Sequence, residues 1–253
     1  MQFTPFHRGG EGPPLLLLHG FTDTWRTWEL VLPHLEQRFE VVAPTLPGHA
    51  GGPPLADPAA LVDEVERLVD GLGLESPQVA GNSLGGWLAL RLAERGRAQS
   101  VVALAPAGDP SSVDTLPYFR TMHRLVRRSA PIADRIAATA EGRRRMTADL
   151  TVEFEHIPPE LLVHQLLGAA ECDATLALAD QAERDGWPVE PEAIDCPVRF
   201  VWGAADAILP WPRAAQLYRE ALPNADWVVL DDVGHAPQLD DPLVVAELIR
   251  TFP

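Results

Sequence analysis

Gly81-Asn82-Ser83-Leu84-Gly85-Gly86 joins a short apolar run, Gln78 to Ala80, to a helical pattern that runs from Gly85 to Arg95 and is closed by Gly96. Small residues two before and two after Ser83 let the backbone turn sharply, because no Cβ stands where the chain must fold back on itself. Such a turn lifts the serine hydroxyl clear of the chain, at the positive end of the helix that follows. A phosphate-binding turn is the competing reading. It fails, since neither G-x-G-x-x-G nor G-K-[ST] can be written on these residues. The expectation at Ser83 is a nucleophile.

Outward from this turn, short apolar runs alternate with longer amphipathic stretches, the pattern of a mostly parallel sheet covered by helices. Leu15 to Leu18, Val41 to Ala43, Gln78 to Ala80, Val101 to Ala105, Val198 to Trp202 and Trp227 to Leu230 read as strands buried on both faces. Asp57-Pro58 reads as a helix start, followed by a stripe of Leu61, Val62, Val65, Leu68, Val69 and Leu72 that ends at Gly71 and Gly73. A last helix starts at Asp241-Pro242 and is expected to bury Leu243, Val245, Leu248 and Ile249. The alternation breaks between Ala107 and about Glu190, where several helices follow one another without a convincing strand. This predicts a core of residues 1–106 and 191–253 with a helical cap, 107–190, inserted into it.

A serine hydroxyl needs a base, and the base needs an orienting carboxylate. His235, in Val233-Gly234-His235-Ala236-Pro237, follows the last strand, where a loop at the carboxyl edge of the sheet would carry it over Ser83. His7, His34, His123, His156 and His164 are less well placed, and His19 reads as a loop brace. Asp206 follows the Val198–Trp202 strand and is the favoured acid; Asp109, past the strand ending at Ala105, is the competitor. The oxyanion of an acyl-transfer intermediate needs two preorganised N–H donors. Leu84, directly after the nucleophile, supplies one, and Phe21, in Leu18-His19-Gly20-Phe21-Thr22, the other. Trp25 and Trp28 are candidates for the acyl pocket.

His19-Gly20-Phe21, the turn from Gly81 to Gly86, Gly203 to Asp206 and Gly234-His235 make the chain resemble a capped α/β-hydrolase over essentially its whole length outside the insertion. The order Ser83, Asp206, His235 is the one this family uses. The resemblance implies the α/β-hydrolase fold, with a mostly parallel central sheet flanked by helices and a helical cap inserted after the sixth family strand. It also implies a serine hydrolase with no organic cofactor. Pro44-Thr45-Leu46-Pro47-Gly48-His49 resembles the family's D-x-P-G-H-G loop, with Thr45 in place of the aspartate and Ala50 in place of the last glycine. The short N-terminus suggests that one or both early antiparallel strands are missing or reduced. Ser83 at the turn disfavours the dehalogenase and epoxide-hydrolase branches, which place an aspartate there. A carboxylic ester of small to medium size is the expected substrate. Carbon-carbon hydrolysis and lactone hydrolysis on the same residues are alternatives, and a non-catalytic small-molecule receptor is an alternative of another class.

Composition narrows the partners. A formal charge of −16 argues against nucleic acid as a partner. All 20 basic residues are arginine, so Schiff-base chemistry and a phosphate-loop lysine are excluded. Cys172 and Cys196 are too few for a disulfide framework or a structural zinc site; they read as free thiols in a reducing compartment, and no metal is expected. No targeting segment or membrane span is visible, so the expectation is a cytoplasmic monomer or homodimer acting on a small-molecule ester. From Arg120 to Arg145 eight arginines face only Asp134 and Glu141. They read as solvated arginines on exposed cap helices rather than as ligands for a substrate carboxylate.

Overall fold

The computed structural model describes residues 2–108 and 115–253. Asp109, the competing acid, lies outside the described residues. Seven strands form one sheet: β1 (Phe6–Gly9), β2 (Pro14–Leu18), β3 (Glu40–Pro44), β4 (Gln78–Asn82), β5 (Ser100–Leu104), β6 (Val198–Gly203) and β7 (Asp226–Leu230). Their spatial order is β1-β3-β2-β4-β5-β6-β7. Only β1 runs antiparallel, against β3. Of the early antiparallel strands, one four-residue strand is therefore present at the sheet edge. This is the α/β-hydrolase fold.

Period-two alternation sorts the sheet's side chains into two cores. Leu16 and Leu18 of β2, and Val101 and Ala103 of β5, point to one face. There they meet α2 (Leu61–Gly71), through Leu61, Val65 and Val69, and α3 (Leu84–Glu94), through Leu84, Trp87 and Leu88. Leu15, Leu17, Val102 and Leu104 point to the other face, covered by α1 (Leu32–Leu35) and α11 (Pro242–Arg250). Asp57 caps the turn that leads into α2 by accepting from the Ala59 N–H at 3.0 Å. Asp241 caps α11 through the Val244 N–H. Leu243 differs from expectation: it is 61 % exposed, while Val245, Ala246 and Ile249 are buried. It occupies the first turn, about 160° around the helix axis from Val245, so packing through Val245 and Ile249 turns it to solvent.

Between β5 and β6 the described chain is helical: α4 (Leu116–Ser129), α5 (Ala133–Ala137), α6 (Ala140–Thr147), α7 (Pro159–Ala170) and α8 (Thr175–Asp185). After β6 come α9 (Gln216–Ala221) and the short α10 (Pro237–Asp240). No single helix among the described residues is long and apolar enough to cross a membrane. Because β3 and β4 flank β2 on opposite sides, the chain reverses direction across the sheet between β2 and β4. A crevice opens at the carboxyl ends of those strands.

Candidate active site

Ser83 sits at that crevice, between β4 and α3, with φ 55° and ψ −115°. A side chain rarely adopts this left-handed region, and the neighbours make it the only way through. A Cβ at Gly81 would overlap the Gly85 carbonyl, and one at Gly85 would overlap the Leu18 carbonyl. The small residues thus serve close backbone packing as well as the turn itself. The Ser83 N–H donates to the Leu104 carbonyl at 2.9 Å, which ties the turn to β5.

His235 and Asp206 converge from the ends of β7 and β6. The Asp206 carboxylate is buried, and its Oδ1 accepts from the Ile208 and Leu209 N–H groups at 2.9 and 2.8 Å. Oδ2 lies 2.8 Å from Nδ1 of His235. With Nδ1 as the donor, Nε2 of the neutral ring is left as an acceptor. The two loops press together: a Cβ at Gly203 would overlap the Gly234 carbonyl. Ser83 and His235 line one cavity of about 590 Å³, within the range of small-molecule sites. Phe21 and Asp23, from the loop after β2, line it too. Among the described residues the backbone N–H groups of Phe21 and Leu84 donate to no protein acceptor. Leu84, as the first residue of α3, has no intrahelical acceptor to offer its N–H.

His19 does brace a loop. Its Nε2 accepts from the Leu46 N–H at 2.9 Å, so Nδ1 carries the proton and donates to the Gly20 carbonyl at 2.8 Å. Burial, helped by the His49 ring 4.9 Å away, holds this imidazole well below its ordinary range. Thr45, standing where the resemblance would place aspartate, donates its hydroxyl to the Thr4 carbonyl at 3.3 Å and its N–H to the Pro5 carbonyl at 2.7 Å. The loop is anchored on the N-terminal segment by these bonds.

Trp25 and Trp28 do not line the cavity, which corrects the expectation for both. Trp28 is fully buried in the core on the α1/α11 side of the sheet. Trp25 stacks on His7 at 5.2 Å and donates to the Thr4 hydroxyl. The 3-10 turn Trp25–Trp28 directs both rings away from the crevice. The walls come instead from the helical insertion, chiefly Phe119, Met122 and Val126 of α4 with Leu162 and Leu166 of α7. Phe119 meets Phe21 edge-on, with ring centroids 5.0 Å apart. Arg145 and Glu141, paired with each other, reach the cavity from α6.

Three further polar residues, Asn82, Gln238 and Asp240, hold this arrangement. Asn82 donates to the His235 carbonyl at 2.9 Å and to the Leu104 carbonyl at 3.2 Å. Gln238 in turn donates to the Asn82 side-chain oxygen at 3.2 Å and to Thr27 at 3.1 Å. Asp240 accepts from the Gly234 N–H at 2.6 Å and from the Val152 and Glu153 N–H groups at 2.8 Å each. Burial pushes its carboxyl above the usual range, against the pull of those three donors. Asn82 stands next to the serine in the quoted stretch, yet its partner lies 153 residues on, and no local signal announces that contact.

Asp23 and Thr24 link the loop after β2 to α7. The Asp23 carboxylate accepts from Gln165 at 3.1 Å, and the Thr24 hydroxyl bonds His164 Nε2 at 3.0 Å. Cys172 and Cys196 are free thiols. Among the described residues no group of three or more His, Cys, Asp or Glu side chains is arranged to hold a metal ion.

Residues 15–248 match the alpha/beta hydrolase family. The chain is 31% identical over 200 residues to epoxide hydrolase EphH of Mycobacterium tuberculosis, covering 77% of this chain and 94% of that protein. It is 32% identical over 265 residues to the pimeloyl-[acyl-carrier protein] methyl ester esterase of Aromatoleum aromaticum, covering 94% and 97% of the two chains. Among solved structures, a thermophilic esterase from Thermogutta terrifontis superposes with a TM-score of 0.64 at 28% identity, covering 97% of this chain and 90% of that one. A serine turn at a topological switch point, a seven-stranded sheet with one antiparallel edge and these matches lead to one conclusion: the chain belongs to the α/β-hydrolase family of hydrolases.

Proposed function

We propose that this protein hydrolyses carboxylic esters of small to medium size through an acyl-enzyme formed on Ser83. The observation that carries this reading is the 2.8 Å contact between Asp206 Oδ2 and His235 Nδ1 at the cavity that Ser83 lines. Held in this tautomer, Nε2 of His235 accepts the Ser83 proton as Oγ bonds to the ester carbonyl carbon. The carbonyl electron pair moves onto oxygen, where the Phe21 and Leu84 N–H groups donate to it. In such sites each donor is worth on the order of 3 kcal/mol. The bond to the leaving alcohol then breaks, and His235 returns the proton to that oxygen. Water, deprotonated by the same imidazole, adds to the acyl-enzyme and releases the acid and free Ser83. Residues 107–190 act as a cap over this chemistry, excluding bulk water from the charged intermediate.

The relative named an epoxide hydrolase raises a second substrate class. Attack of a serine oxygen on an epoxide carbon gives an ether, which water does not cleave at neutral pH; an acyl ester is cleaved readily. Ser83 therefore favours acyl substrates. Lactones and carbon-carbon substrates with a cleavable ketone pass through the same acyl step. Turnover of p-nitrophenyl esters of increasing acyl length, a lactone, a diketone and an epoxide, compared between wild type and Ser83→Ala, tests the reading. The expected outcome is ester turnover that falls about 10⁶-fold in the variant. Tight small-molecule binding with no turnover of any substrate would replace it with a receptor.

A further inference from the structure

The stretch from α4 through α6 carries charge of the opposite sign to the molecule as a whole. From Leu116 to Ala148 there are eight arginines and two acidic residues, a net of six positive charges in a chain whose formal charge is −16. Arg120 is paired with Asp180 and Glu183, Arg144 and Arg145 share Glu141, and Arg143 donates to the Ala137 carbonyl. Arg124, Arg127, Arg128 and Arg135 are exposed and, among the described residues, make no ion pair. Helical spacing puts Arg120, Arg124, Arg127 and Arg128 on one face of α4, while Phe119, Met122 and Val126 line the cavity on another. Like charges on one helix face repel; Arg127 and Arg128, in the last turn, gain from the helix dipole, whereas Arg124 has no such compensation.

Apolar side chains stand beside these charges. Leu125 lies on the border of the two faces of α4: it lines the cavity and is 47 % exposed. Ile132, in the turn that follows α4, is 43 % exposed. The cavity thus reaches the surface next to unpaired guanidinium groups and bare aliphatic side chains. A soluble polyanion would satisfy the arginines and leave Leu125 and Ile132 in water. A lipid–water interface satisfies both, because guanidinium groups rest at the phosphate level while aliphatic side chains enter the acyl boundary beneath it.

We propose that the basic face of α4, with Leu125 and Ile132, is a docking surface for an anionic lipid membrane and sets the mouth of the cavity against the bilayer. This goes beyond the ester reading and is tested without turnover. The whole chain is floated with vesicles of phosphatidylcholine alone and with vesicles containing roughly 30 % phosphatidylglycerol, at low and high salt. Binding to the anionic vesicles alone is expected, weakening as salt shortens the screening length. The combined variant Arg124→Gln, Arg127→Gln, Arg128→Gln should partition on the order of 100-fold more weakly, with an unchanged melting temperature. If that variant fails to fold, the single Arg128→Glu variant must show a smaller loss in the same direction. Equal flotation with both vesicle types, or flotation that the folded variants retain in full, overturns the proposal. Binding to soluble polyglutamate without flotation also overturns it, in favour of an acidic macromolecule.

Discussion

The carboxyl edge of the sheet and the helical block between β5 and β6 meet around one cavity, yet they are built differently. At the edge, backbone packs on backbone: Gly81 on Gly85, Gly85 on Leu18, Gly203 on Gly234. Buried polar side chains there, Asn82, Asp206, Gln238 and Asp240, hydrogen-bond across the junctions between loops. The block is joined by small apolar clusters, such as Leu116 with Ala179 and Ala182, and by ion pairs on exposed helices. Gly142 makes a close backbone approach there, to Ile136, but it is local to one turn. Where α7 meets the loop after β2, Gly168 faces side chains, a methyl group of Thr24 and the ring of Phe3, and no backbone. The edge admits one arrangement. The block can exchange side chains without unseating its neighbours, so the residues that shape the cavity sit where change costs least.

The sharpest break of this comparison is Asp206→Asn. On the proposed chemistry, losing the carboxylate that sets the His235 tautomer should lower kcat about 10⁴-fold with little change in KM, as it does where serine proteases use the same trio of side chains. Steady-state kinetics on an ester substrate check it. Next comes Gly85→Ala, whose Cβ would overlap the Leu18 carbonyl. A loss of roughly 4 kcal/mol or more, or no folded protein, is expected in urea unfolding. Asn82→Ala releases the His235 carbonyl and leaves it buried, for about 1–3 kcal/mol. Its kcat should fall further than its KM rises, because the base is displaced.

His164 marks the seam between the two regions. Burial, with Arg26 nearby, holds its imidazole down at about 4. The folded state therefore binds the proton less readily than the unfolded chain, whose histidine titrates near 6.5. Stability from this residue is complete above pH 6.5 and is lost as the pH falls toward 4. Melting temperatures of wild type should drop across that window more steeply than those of His164→Gln. The smallest effect belongs to Gly168→Ala. Its Cβ would lie 3.1 Å from the Thr24 methyl, and the gain in helix propensity offsets that squeeze to within about 1 kcal/mol. A large loss would show the seam to be as tightly built as the edge.

The placement of Ser83, Asp206 and His235 at one edge of the sheet was legible in the sequence because each sits on a strand-to-loop junction marked by glycine, and such junctions stack at one edge of a parallel sheet. The strands were legible for a related reason: runs buried on both faces leave little room for another reading. Trp25 and Trp28 were misjudged because proximity along the chain to Phe21 says nothing about which side of the sheet a 3-10 turn faces. Leu243 failed similarly, since a helical stripe has two borders and tertiary packing chooses between them. The contacts of Asn82, Gln238 and Asp240 were silent because they reach backbone groups or side chains far along the chain, and no local pattern marks such a pairing. The cavity walls depend on how five helices pack, and amphipathic periodicity alone leaves that open.

The loop bearing His235 is shared property. Its Ala236 N–H donates to the Leu150 carbonyl at 2.9 Å, and the Asp240 carboxylate spans Gly234 on one side and Val152 and Glu153 on the other. Anyone transplanting a foreign helical segment to retune selectivity should keep Leu150 through Glu153 with the recipient scaffold. A chimera cut inside that tetrapeptide would unmoor the imidazole although every residue of the proposed chemistry was still present in the sequence.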